Sequence, residues 1–173
     1  MRKSKPPPFS RPQSQHDENP GQDAQGRRNN APVPGLGLYV LVVDDSPDGL
    51  DMLTEYLQFR GFAVVGAADG AAALEQAFAQ PPLLVLMDLR MPGISGLEAT
   101  RQLKAHPATK DAIVVALTAN PLGAHEALAR QSGCDAFLAK PFDIVRLGNL
   151  VEAVMRRGRD GLSSLGSHTA QPQ

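Results

Sequence analysis

The chain has 173 residues, 42% of them hydrophobic and 20% charged, with a formal net charge of −1, which suits one soluble globular domain of ordinary size plus tails. The charge is uneven: residues 1–37 carry six Lys/Arg against three Asp/Glu, and residues 38–157 carry ten against fourteen. The mildly acidic body argues against a nucleic-acid-binding domain, and the single cysteine, Cys134, excludes an intrachain disulfide or a multi-cysteine zinc site.

No apolar run approaches the ~20 residues of a membrane span, and the first residues lack the apolar core of a signal peptide. The expected setting is the cytoplasm. Residues 1–37 hold few aliphatics and much Pro, Gln, Asn, Arg and Gly, including Pro6-Pro7-Pro8. Such a segment buries too little apolar area to offset its ordering entropy, so it reads as a disordered basic tail or linker. Gly35-Leu36-Gly37 precedes the first strand, whereas a dinucleotide fingerprint must follow it.

Residues 38–43, Leu-Tyr-Val-Leu-Val-Val, form the first predicted strand, closed by Asp44-Asp45. Ser46 as N-cap and Pro47 at the first helical position then open a helix. Leu50, Leu53 and Leu57 give it an apolar stripe, and Gly61 ends it. A weaker strand covers 62–67. Asp69-Gly70 turns the chain into an alanine-rich helix over about 71–79, with Leu74, Ala77 and Phe78 facing inward and Pro81-Pro82 stopping it.

Residues 83–87, Leu-Leu-Val-Leu-Met, are short and aliphatic, as in a strand buried on both faces, and run straight into Asp88. Ser95 caps a helix over about 96–105. A fourth strand covers 113–117 and ends at Thr118. A helix over roughly 122–131 stops at Gly133, and a short fifth strand, 136–138, leads to Lys140-Pro141. The last helix, 144–157, places Leu147, Leu150, Val151, Val154 and Met155 on one face, with Gly158 at its end. Residues 158–173, rich in Gly, Ser, Thr and Gln, read as a second disordered tail.

Five strands alternating with five helices imply an α/β fold with a parallel sheet covered on both faces. Right-handed crossovers give the flavodoxin-like strand order 2-1-3-4-5 over residues 38–157. In that order the strand ends bring Asp44, Asp45, Asp88, Thr118 and Lys140 to one crevice. Three carboxylates together repel, and a hard divalent cation such as Mg²⁺ or a lysine ammonium relieves them. The set suits phosphoryl transfer. A carboxylate oxygen attacks phosphorus, the positive charges neutralise the equatorial oxygens, and the threonine hydroxyl or a backbone amide after Asp88 donates to them.

These residues resemble the response-regulator receiver domain of two-component signalling. The marks are Val-Val-Asp44-Asp45, then Leu-Met-Asp88-Leu-Arg-Met-Pro-Gly-Ile-Ser-Gly, then Ala-Leu-Thr118-Ala, then Phe137-Leu-Ala-Lys140-Pro141-Phe, and they span 39–157. The resemblance implies Asp88 as phosphoacceptor. It implies Asp44, Asp45, Asp88 and the Arg90 backbone carbonyl as Mg²⁺ ligands, with Thr118 and Lys140 on the phosphoryl group. It further implies Thr118 and Phe137 as the conformational switch, Arg90 and Asn120 as positions that tune phosphoryl lifetime, and a cis Lys140-Pro141 peptide. Phe137 lacks the hydroxyl of the commoner tyrosine. The implied partners are a histidine kinase or histidine phosphotransfer protein and a downstream protein effector, without direct nucleic-acid contact or membrane insertion. The domain then catalyses only its own phosphorylation and dephosphorylation.

Each residue also has a plainer reading: Asp44-Asp45 as helix caps, Thr118 as a cap, Lys140 as surface charge, Phe137 as core. Cys134 reads as a small structural residue, and His16, His106, His125 and His168 as surface histidines. Arg156-Arg157 offset the last helix's macrodipole. Residues 158–173 are too few for an effector module, so the expected output runs through protein partners, shuttling in a phosphorelay or competition for phosphate, from a stand-alone receiver or one excised from a larger hybrid protein. Two alternatives stand beside this. One is a receiver-like binding module that is never phosphorylated. The other is an aspartate-nucleophile phosphatase, which needs a second acid where this chain has Arg90.

Overall fold

The computed structural model describes residues 38–119 and 124–165. The segments read as tails at 1–37 and beyond 165, and Asn120, lie outside the described residues. Strands β1 (Val40–Val43), β2 (Val64–Ala67), β3 (Leu84–Asp88), β4 (Ile113–Thr118) and β5 (Ala136–Ala139) form one parallel sheet in the order β2-β1-β3-β4-β5. Helices α1 (Pro47–Phe59), α2 (Gly70–Ala79), α3 (Gly96–Ala105), α4 (Ala124–Gln131) and α5 (Ile144–Arg157) connect and follow them.

The strands are buried on both faces, and their side chains alternate between two apolar compartments. Leu41, Val43, Val85, Met87, Val114 and Ala116 face the side covered by α2, α3 and α4. Val40, Val42, Leu84, Leu86, Val115 and Leu117 face the side covered by α1 and α5. The α5 stripe is the one read from sequence: Leu147, Leu150, Val151 and Val154 are buried in the second compartment, with Met155 at its margin.

Local chemistry sets the helix starts. Ser46, Asp69 and Ser95 each accept a backbone N–H three residues on, and Asp143 accepts from Val145 and Arg146. Gly61, Gly133 and Gly158 follow α1, α4 and α5 with positive φ, where a side chain is strained.

Two expectations are corrected. Phe78 does not face inward: it is 38% exposed and stacks on His106 with ring centroids 4.4 Å apart. Ordered structure does not stop at Arg157, because a 3₁₀ helix, Gly158–Leu165, folds back on α5. Leu162 there packs against the second compartment. Arg159 pairs with Asp135 and donates to the Asp111 carbonyl. Smaller differences lie at strand ends. Sheet pairing begins at Val40, opposite Val64, leaving Leu38 exposed, and β3 and β4 include Asp88 and Thr118.

Candidate functional site

The sheet order places the carboxyl ends of β1, β3, β4 and β5 side by side. Asp44 follows β1 directly, and its N–H still bonds to Ala67 of β2 at 3.2 Å. Asp88 is the last residue of β3, and Thr118 the last of β4. Lys140 lies just past β5, its N–H bonded to the Thr118 carbonyl at 2.8 Å. The Lys140–Pro141 peptide is cis.

Lys140 Nζ lies 2.7 Å from Asp44 Oδ2 and 2.5 Å from Asp88 Oδ2, joining the tips of β5, β1 and β3 through one ammonium. Asp44 is 3% exposed, Asp88 half-buried and Asp45 exposed. Burial alone pulls the Lys140 ammonium toward its neutral form, but the hydrogen bonds and charge of Asp44 and Asp88 outweigh it and hold the lysine above its ordinary value. Backbone amides take the other carboxylate oxygens: Ser46 N–H donates to Asp44 Oδ1 at 2.9 Å and Arg90 N–H to Asp88 Oδ1 at 2.8 Å. The Arg90 amide thus faces the Asp88 carboxylate, while its side chain is exposed.

Asp44, Asp45 and Asp88 each offer a carboxylate oxygen within 4.8 Å of the other two. A hard cation takes such oxygens readily, so the donor set fits one. Gly96 sits directly behind Asp88, where an added Cβ would overlap the Asp88 carbonyl. Gly49 lies beside Asp44, and a Cβ there would be 3.4 Å from both carboxylate oxygens.

Thr118 is buried at 8% exposure. Phe137 stands opposite Ala116 in the β4–β5 register and packs, half-buried, at the edge of the first compartment. The sequence reading missed what covers it: Arg130 of α4 lies over the ring, 5.1 Å from its centroid. The i,i+4 pairing of Glu126 with Arg130 was legible on the helix, but the reach from α4 to β5 was not.

The geometry has close parallels among known proteins. A family model described as the response regulator receiver domain matches residues 40–152. The chain belongs to this receiver family. Among curated relatives, the polar-differentiation response regulator DivK of Brucella anthropi is 29% identical over 116 residues, covering 67% of this chain and 94% of the relative. The chemotaxis protein CheY4 of Vibrio cholerae superposes with a TM-score of 0.63 at 27% identity, over 70% of this chain and 98% of that one. The receiver domain of the sensor histidine kinase PA1611 from Pseudomonas aeruginosa is 31% identical with a TM-score of 0.63, over 72% of this chain and 99% of that one. That structure holds a magnesium ion coordinated in its active-site cleft. The receiver described here is thus a module of two-component signalling. Among its described residues no helix is long and apolar enough to cross a membrane.

Proposed function

We propose that Asp88 accepts a phosphoryl group from a phosphohistidine on a histidine kinase or histidine phosphotransfer protein. The observation that carries this reading is the Lys140 ammonium, shared by Asp44 and Asp88 at the tips of three strands. An Asp88 carboxylate oxygen forms the new O–P bond while the P–N bond breaks and its electron pair returns to the imidazole. Lys140 turns from the carboxylate to an oxygen of the incoming group, and the Thr118 hydroxyl donates to another. Asp44, Asp45 and Asp88, with the Arg90 carbonyl, would hold Mg²⁺, which when bound draws charge off the transferring oxygens.

The output is a shift of population. Thr118 moves toward the phosphoryl group, Phe137 follows into the space beside it, and a protein effector reads the altered β4–β5 face. Thr118 and Phe137 point to the same side of the sheet by the period of two in paired strands. Arg90, two residues past Asp88, sets the phosphoryl lifetime, and Asn120, which lies outside the described residues, shares that role. The domain turns over only its own phosphoryl group, in the cytoplasm, where kinases charge the donor histidine.

Intact-mass measurement after incubation with acetyl phosphate tests the reading. The wild type gains one phosphoryl group when Mg²⁺ is present, and Asp88→Asn gains none while keeping its fold. Full labelling of Asp88→Asn overturns the assignment.

A further inference from the structure

We infer that Arg130 latches the Phe137 ring in its unswitched position, so that α4 opposes the switch through a cation–π contact. This deepens the phosphoacceptor reading and rests on it. The guanidinium carbon of Arg130 stands 5.1 Å from the ring centroid, inside the range of such contacts. Glu126 fixes the guanidinium: Arg130 Nε and Nη2 both donate to Glu126 Oε1, at 3.0 and 2.7 Å. The cation is therefore oriented before it meets the ring.

The placement gives the contact a role. Ala129, next to Arg130, is buried in the compartment that Phe137 edges, so α4 is seated on that face of the sheet and its neighbour reaches over the ring. Phe137 has no hydroxyl with which a hydrogen bond could hold it, and the Arg130 cation supplies the missing partner. When the ring follows Thr118 inward it leaves that contact. Arg130 is a positioning residue: it touches no reacting atom and acts through Phe137.

A cation–π contact of this exposure corresponds to about a two- to fivefold change in an equilibrium. Removing it raises the population of the switched form and tightens any ligand that selects that form by the same factor. The test is calorimetric titration of the full chain with beryllofluoride and Mg²⁺, in a double-mutant cycle. Arg130→Met, which keeps an apolar stem over the ring, should tighten beryllofluoride binding about two- to fivefold when Phe137 is present, and should leave it unchanged in the Phe137→Leu background. Arg130 is exposed, so Arg130→Met folds, thermal melts check Phe137→Leu and the double variant, and a purely structural role does not produce a Phe137-dependent affinity change. Equal effects in both backgrounds, or unchanged or weaker binding in Arg130→Met while the wild type binds normally, overturn the latch alone. Absence of Mg²⁺-dependent binding in the wild type overturns the phosphoacceptor reading, and the latch with it.

Discussion

Lys140 and Asp88 are 52 residues apart along the chain, yet Nζ and Oδ2 meet at 2.5 Å. The same ammonium touches the buried Asp44. Lys140→Met leaves two carboxylates facing each other without it. We expect a stability loss of about 2–3 kcal/mol at neutral pH, below the full cost of breaking a buried pair because Lys140 is partly solvated. Millimolar Mg²⁺ should return most of that loss. Thermal unfolding in chelator and in Mg²⁺ checks both halves, and an unmoved midpoint in chelator refutes the first.

High pH should unfold the domain through two groups that hold their protons. Burial pushes the Tyr39 hydroxyl up from 10.0 to about 12, and Lys140 is held above 10.5. The unfolded chain releases both protons earlier, so above about pH 10 it binds fewer protons than the folded chain, and stability falls as pH rises. The Tyr39 contribution is intact below pH 10 and disappears through pH 10–12, and that of Lys140 is lost as pH rises above its ordinary value. Tyr39→Phe should be less stable at neutral pH, losing its hydrogen bond to the Gln80 carbonyl, but should decline less steeply. Denaturant melts at stepped pH measure both slopes; equal slopes would remove Tyr39 from the account.

Two glycine substitutions separate a rigid obstacle from a soft one. A Cβ on Gly96 meets the backbone of Asp88 and Leu89, which cannot move without displacing the Asp88 carboxylate. Gly96→Ala should cost about 2–3 kcal/mol and slow phosphoryl uptake. A Cβ on Gly148 lies 2.5 Å from Arg60 Nη1, 2.8 Å from Tyr56 Oη and 2.9 Å from Tyr56 Cε1, side-chain atoms on the outer part of the second compartment that yield more readily than backbone. Helix propensity favours alanine there, so Gly148→Ala should cost about 1 kcal/mol or less. Guanidinium melts rank the pair, and the reverse order contradicts the argument.

Ending the chain after Arg157 should destabilise the domain by about 1–2 kcal/mol, from lost burial of Leu162 and the lost partner of Asp135. Leu162→Ala in the full chain should reproduce part of the loss. Equal thermal midpoints for the full and shortened chains would show that the 3₁₀ helix adds nothing to stability.

Much of this was legible because it is local or periodic. The α5 stripe, the Ser46 and Ser95 caps, and the run that ends in Asp88 each announce themselves within a few residues. The strand order followed from the crossover rule, and with it the meeting of Asp44, Asp88, Thr118 and Lys140. The misses share a different cause. Phe78 was placed inward by its helical spacing, but its ring found His106 from the end of α3. Residues beyond Arg157 have the composition of a tail, and contacts distant in sequence, Leu162 on the second compartment and Arg159 on Asp135, make them part of the fold. Arg130 over Phe137 is likewise a contact between elements, which no window of sequence displays.

The sheet is a bulkhead. Among the described residues, the compartment under α2, α3 and α4 and the compartment under α1 and α5 share no buried side chain. Substitutions on opposite sides should therefore add in stability, as distant sites do. Links between the two halves run round the bulkhead's edges: Lys140 joins Asp44 and Asp88 at the carboxyl tips, and Asp135, just before β5, joins Lys104 of α3 to Arg159 beyond α5. The edge at which the chemistry is proposed is thus also a seam through which one half can learn of the other.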